Sequence, residues 1–590
     1  MVSDLLLGSG LVLTSWLVFS LVVLSYGRWL AVWILRTDKA TPDLRWRVSI
    51  WLGLAVIVTL VVFANQFRPL GETSIAVGAI GFAVALGAVG VLMGRVSRPT
   101  WRRPPLSVAA WVAAAGISVA YLAAKALGPV TNYDSGLYHL GSIKYAHEFA
   151  AIPGIANVYF PFGYANAQFP LAALLGNGPW DGAGYRLLNG FFLVLVTLDL
   201  ISRLLNRRWT WGTFTLLFGV SAAFIPMVAM ADAMVTSPTA DTSVMLLSIV
   251  SASYLADAIE PRRSNLSSAP ISVLLAFITV AFRPTMIVFA LGTLTAALMV
   301  YRYRHSSPRP QSRAWLMTGV LTVLLGLVML ARDRTLSGWI VYPLSLLPLD
   351  VPWRAADPMP ARLATLAAAR DPFSADGYVT ATSWTWIRPW LERLPSQWEP
   401  WFILIGAIGA LTALVIAKRV EVMANVWRLL ALATAPSFGA AVVWFVVSPP
   451  SFRFAWGPLF ALVVIPMGIA FAQMVNLPFQ GRNHLSPRHV ALVGSALCVM
   501  GVTVFSLVAR NQFDTITDRQ SWAFGPLSVP YATAPIPIPE VRIVDTASDL
   551  PVVTPLIGDQ CWDNFPLCTY YTGQSIVSRG PDIQDGFSRE

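Results

Sequence analysis

The sequence predicts an all-α polytopic integral membrane protein, and three observations carry that reading. Hydrophobic residues make up 56% of the 590 positions, charged residues only 12%, and the mean hydropathy is +0.62. A water-facing domain carries about 25% charged residues, so this chain lacks the charge to cover a wet surface. Long apolar runs recur throughout, each near the ~20 residues that cross a bilayer. Arginines gather in short loops between alternate runs, which the positive-inside rule assigns to the cytoplasm. The net charge of +11 therefore reflects topology, and no nucleic-acid partner is expected. The first run lacks a basic leader and an A-x-A cleavage pattern, so it reads as a span rather than a signal peptide.

Taken in order, the runs at 5–24, 50–63, 74–93 and 108–127 form the first four spans. Basic groups at Arg28, Arg36, Lys39, Arg45 and Arg47, and again at Arg95, Arg98, Arg102 and Arg103, lie inside. The N-terminus then lies outside, and the fourth span delivers the loop 128–185 to the outer face. Runs at 187–204, 211–230 and 243–259 follow, with Arg203, Arg207, Arg208, Arg262 and Arg263 inside. The apolar stretch 271–301 is too long for one span and short for two; Pro284 disfavours helix at Arg283 and predicts two short helices turning there. Spans at 315–330, 402–417, 429–447, 457–471 and 491–508 bring the total to roughly fourteen. Few charges fall within them. An even count returns the C-terminus to the outer side.

Two outer loops, 128–185 and 332–400, exceed ordinary loop length, which marks function or disorder; both are too aromatic for disorder. In the first, apolar residues at helical spacing over 135–149 predict a short interfacial amphipathic helix ended near Pro153-Gly154. In the second, 358–370 reads as a surface helix, and Trp384, Trp386, Trp390, Trp398 and Trp401 read as interfacial anchors. Residues 1–510 form the membrane domain, and 511–590 a small extracytoplasmic polar tail. That tail carries Cys561 and Cys568, a disulfide pair on an oxidising face; Cys498 sits in an apolar span.

The chemistry concentrates in N-Y-D-S-G-L-Y-H, residues 132–139. Sugar transfer outside the cell has no nucleotide sugar to draw on, so the donor would be a polyprenyl-phosphate sugar. An acceptor hydroxyl then needs a carboxylate base, for which Asp134 is the candidate. The departing phosphate needs cations, for which Arg283 and Arg453 are the candidates. The competing reading of Asp134 is a helix cap at Ser135. Asp241, like Asp232, has the helix dipole as its ordinary explanation and a second acid of the acceptor pocket as its sharper one. Tyr133, Tyr138 and Tyr342 are candidates for stacking on sugar rings. His139 and His147 either touch the ligand or pack with a satisfied nitrogen. No zinc-type spacing is visible; Asp134, His139, Asp232 and Asp241 are the set that a divalent cation would use, and no other cofactor is implied.

Asp134 before a surface helix, and a broken helix pair carrying Arg283 and Thr285, resemble the GT-C superfamily of polyprenyl-phosphate-dependent glycosyltransferases. The chain is similar, more closely, to a poorly characterised bacterial family of polytopic membrane proteins. The shared motifs are Y-D-x-G-L-Y-H at 133–139, P-G-x-x-N at 153–157, S-G-x-x-x-Y-P at 337–343, R-F at 453–454 and a Cys-Trp…Cys-Thr element at 561–569. The resemblance implies a GT-C-like helical bundle in the bacterial plasma membrane with Asp134 as base. Many GT-C members place an acid pair there, whereas Ser135 follows Asp134 here, so a second acid such as Asp241 would complete the site. The leading expectation is an inverting transferase acting on a cell-envelope glycan or lipid acceptor. A transporter or flippase of lipid-linked glycans, and an O-antigen polymerase or ligase type enzyme, are the alternatives.

Overall fold

A computed structural model describes residues 2–34, 42–92, 104–261, 267–303, 309–419, 426–475, 486–509, 523–524, 531–548, 550–570 and 576–589. Arg36, Lys39, Arg95, Arg98, Arg102, Arg103, Arg262 and Arg263, which carry much of the predicted orientation, lie outside the described residues, as does the start of the tail at 511–522.

Twelve described helices are long and apolar enough to cross a membrane, and two shorter apolar helices, Thr73–Val89 and Ser268–Phe282, accompany them. Each of the fourteen predicted runs falls on one of these helices. Only Ser268–Phe282, at 15 residues, falls well below the ~20 of a full crossing, because the helix as a whole covers Thr73–Leu92 in the other case. The predicted break is present. Ser268–Phe282 stops at Arg283, a single 3-10 turn covers Pro284–Met286, and Ile287–Tyr303 continues. The described sheet amounts to four two-stranded hairpins.

At the centre lies Ala240–Ile259, buried at every position. It packs against Trp211–Ala229, Ser268–Phe282 and Trp456–Val475. Small hydroxyls let these helices approach: Ser251 donates to the Ser272 carbonyl and Ser272 to the Ser251 carbonyl, both at 2.8 Å. Polar pairs of this kind hold helices together where no hydrophobic gradient does. The first two helices use glycine instead. A Cβ on Gly27 would collide with the Ser49 carbonyl, and one on Gly53 with the Val23 carbonyl.

One end of the central helix enters an ion network that the sequence reading missed. Fully buried Asp199 accepts from Arg203 at 2.8 Å, Trp51 at 2.7 Å and Tyr254 at 2.9 Å. Arg203 also reaches Asp257 at 3.0 Å and Ser253 at 3.2 Å, and Arg47 lies 4.0 Å from Asp199. Arg203, expected at a cytoplasmic loop, is thus wholly internal, and the expectation of few charges within spans is corrected.

The long loop 332–400 also departs from expectation. Met359–Arg370 is the predicted helix. Trp384 and Trp401 are exposed, but Trp386 and Trp390 are buried beside Trp444, Phe445 and Phe452. Their work is structural. Trp390 donates to the Pro450 carbonyl at 3.0 Å and Trp444 to the Ser451 carbonyl at 2.9 Å, which fixes the turn carrying Arg453. The tail is no appendage: Ala534 N–H donates to the Leu127 carbonyl at 2.8 Å, and Tyr531 to the Pro179 carbonyl at 2.7 Å. Gly8 lies against both Leu127 and Tyr531, so the start of the first helix and the tail meet at one end of the bundle.

Removing one member of a buried charge network leaves the others unpaired, at a cost of about 3–5 kcal/mol. Arg203→Ala is therefore expected to lower the thermal midpoint of the detergent-purified protein sharply. A variant melting with the wild type would remove the network from the account of stability.

Candidate functional site

The site begins with a turn. Asn132 accepts from the Asp134 N–H with its side chain at 3.1 Å and from the Ser135 N–H with its carbonyl at 3.0 Å. Asparagine favours such turns because its short side chain can stand in for backbone. Ser237 accepts from the N–H groups of Thr131 and Asn132 at 3.0 and 3.1 Å, which ties the turn to the chain just before the central helix. A π-helical turn, Ser135–His139, then leads into Leu140–Glu148. The predicted interfacial helix is therefore present, but it is roofed by the tail.

Asp134 makes no side-chain cap to this helix, which removes the capping alternative. Its carboxylate accepts from Arg453 at 2.7 Å, across 319 positions of sequence. Arg283 pairs with Asp241, in the first turn of the central helix. Between these pairs stands Phe454, with the guanidinium carbons of Arg453 and Arg283 each 4.9 Å from its ring centroid. Cation–π contact holds both arginines against one ring. Four of the predicted site residues thus form one assembly, Asp134–Arg453–Phe454–Arg283–Asp241, with two charges of each sign.

His139 lies beneath it, buried, with Nδ1 3.4 Å from the Ser135 hydroxyl. Burial lowers its pKa to about 4; Asp134 and Asp241 oppose that shift, while Arg453 and Arg283 reinforce it. The imidazole is therefore neutral near pH 7. Half-buried Tyr138 packs edge-on to His139 and Tyr164, its phenol held well above the ordinary value by burial and by Asp134.

Other predicted residues stand elsewhere. Tyr342 is buried behind the site, and its hydroxyl donates to the Phe160 carbonyl at 3.0 Å, so it is not placed to stack on a ligand. Asp232 pairs with Lys125 at 2.9 Å. His147 packs against Gly71 and Gly176. Among the described residues, no three His, Cys, Asp or Glu side chains stand close enough to share a metal ion.

The tail supplies a wall. Cys561 and Cys568 form a disulfide. Trp562 lies on Gly136, where a Cβ would meet its indole at 2.6 Å, and the Trp562 backbone N–H donates to the Gly136 carbonyl at 2.9 Å. Exposed Tyr133 donates to Asp559, which pushes its phenol up to about 12, and Gln560 donates to the Tyr133 carbonyl at 2.7 Å. Lys144 pairs with Asp563. The P-G-x-x-N motif also serves docking: Asn157 donates to the Phe587 carbonyl at 3.2 Å, and Gly154 at φ +69° leaves room for that carbonyl. Sequence reading missed Asp559 and Gln560, whose only signal was the nearby cysteine pair, and it held Trp562 as part of the Cys-Trp…Cys-Thr element without giving it a role.

The chain matches one family model over residues 10–460, described as a domain of unknown function (DUF8201). It belongs to that family. No curated protein and no solved structure matches it. The DUF8201 match takes in Asp134, Asp241, Arg283 and Arg453, and it ends before the disulfide-bearing tail that walls them.

Two outcomes follow. Gly136→Ala should unseat Trp562, costing about 1–3 kcal/mol of packing, and limited proteolysis should then cleave the tail faster; unchanged cleavage would detach Gly136 from tail docking. His139 stays unprotonated in the fold down to about pH 4, whereas the unfolded chain takes up its proton near 6.5. Its stabilising contribution is full above the upper value and falls as pH drops toward the lower. The melting temperature should fall between about pH 7 and about pH 5, and less so in His139→Gln. Equal slopes would show that His139 does not set this dependence.

Proposed function

We propose that this DUF8201 protein is a membrane-embedded, inverting glycosyltransferase of GT-C type. It moves a sugar from a polyprenyl-phosphate donor to a cell-envelope glycan or lipid acceptor on the outer face of the bacterial plasma membrane. The observation that carries this reading is the convergence of Asp134 with Arg453 and Arg283 at one end of an apolar bundle, from segments far apart in sequence.

The chemistry assigns each residue a part. Asp134 takes the proton of the acceptor hydroxyl as that oxygen bonds to the anomeric carbon. The bond from that carbon to the phosphate oxygen breaks, and the lipid phosphate leaves with the electron pair. Arg453 and Arg283 hold the charge that grows on the phosphate. A single displacement inverts the anomeric centre. Neutral His139 offers a hydrogen bond beneath the site without adding charge. Access from lipid is supported by the surroundings of Arg283: Pro284, Thr285 and Ile287 are exposed, and Leu291 and Leu298 continue an exposed apolar face along the same helix.

The transporter alternative draws less support. The charges buried within the described spans around Asp199 are bonded to one another, as in a structural tie. Asp257 stands 16 residues along the central helix from Asp241, or about 24 Å.

With the protein in liposomes and a panel of undecaprenyl-phosphate sugars, Asp134→Asn should reduce transfer by about 10²–10⁴-fold. Arg453→Ala and Arg283→Ala should each lower turnover by about 10²–10³-fold. Transfer by Asp134→Asn at the wild-type rate would sink the assignment.

A further inference from the structure

Both arginines of the site are already engaged by carboxylates. Asp134 occupies Arg453 and Asp241 occupies Arg283, so the four charges cancel within one assembly. Here Nη1 of Arg283 is buried and has no hydrogen-bond partner. An unmet buried donor is costly, and an anion that reached this one would satisfy it. The arginine side chains keep 30% exposure at Arg453 and 16% at Arg283, so an incoming anion can reach both. Phe454 holds the two guanidinium groups against a common ring, which leaves them beside each other if either carboxylate departs.

We propose that Asp134 and Asp241 are internal stand-ins for an anion, and that the phosphate of a lipid ester displaces Asp134 from Arg453 as it binds. This rests on the transferase reading above and adds an order of events to it. The phosphate first meets Arg453, the more exposed of the two, exchanges there with Asp134, and then engages the idle donor of Arg283. While Arg453 donates to Oδ2 of Asp134 at 2.7 Å, that oxygen is occupied and cannot accept a hydrogen bond from an acceptor hydroxyl in the same place. Release from Arg453 frees it at the moment the donor is seated. The base is thus masked in the resting protein and exposed by its own co-substrate, which keeps the sugar from reacting before both partners are in place. After transfer, the return of Asp134 to Arg453 helps expel the doubly charged lipid phosphate. No covalent change accompanies the exchange; one ion pair is replaced by another.

The test is direct binding to the full-length protein in lipid nanodiscs, with undecaprenyl phosphate in one arm and inorganic phosphate in the other. Removing an internal competitor tightens an anion, so Asp134→Asn should bind undecaprenyl phosphate about tenfold more tightly than wild type. Asp241→Asn should shift in the same direction, and Arg453→Ala should lose binding. Thermal melts of each variant identify any that fail to fold, and either aspartate variant alone decides the matter. Wild-type binding that Arg453→Ala loses, with unchanged or weaker binding in a folded aspartate variant, would overturn the masking and leave the transferase reading standing. Wild-type binding of inorganic phosphate alone would overturn the lipid ligand and the transferase reading together. Binding of neither anion would do the same.

Discussion

A charge buried in an apolar bundle must be paired, and the central helix Ala240–Ile259 meets that demand near both ends. At one, Asp241 is joined to Arg283; at the other, Asp257 is joined to Arg203. Between them every residue is buried, so the helix has little freedom to slide or rotate. The first pair fixes the broken helix carrying Arg283, and the second fixes Tyr185–Leu205 through Arg203. The placement of the candidate site follows from this frame, because Arg283 and Arg453 meet Phe454 only while the helix between them holds its position.

Around that frame the chain uses aromatic and loop contacts to aim a few polar side chains. The tryptophan cluster at Trp386, Trp390 and Trp444 sets the turn bearing Arg453, while Asn132 and Ser237 set the turn bearing Asp134. The tail then closes over the second turn through Trp562, Asp559 and Asn157. Several residues that look like ligand contacts in isolation are spent on this aiming. Tyr342 is one, and Gly154 and Asn157 are two more. Such roles explain why these aromatic loops can be long without being loose: their side chains make the packed interior of the site's support.

Much of the helical framework was legible in the sequence, because a bilayer demands ~20 apolar residues at a time and composition reports that directly. The break at Arg283-Pro284 was legible for a local reason, since proline restricts the residue before it. Asp134, Arg283, Arg453 and Asp241 were found as charges at predicted outer ends of apolar runs, and the structure brings all four together. What escaped were pairings. Asp199 and Asp257 looked unremarkable in sequence, yet a buried carboxylate needs partners, and these come from the packed helices Tyr185–Leu205, Pro42–Asn65 and Ala240–Ile259. The tail residues escaped because a short polar segment has no periodicity to read.

By itself, then, the sequence determined the all-α membrane class, the broken helix, the disulfide and the acids and arginines worth following. Each of these rests on local chemistry: apolar length, proline geometry, the pairing of two neighbouring cysteines, charge beside an apolar run. Tertiary structure decided which charge faces which. It joined Asp134 to Arg453 across 319 positions, left the helix that begins at Ser135 without a side-chain cap from Asp134, and laid the tail over Gly136. Coulomb attraction acts through space rather than along the chain, so no reading of sequence neighbours can assign those partners.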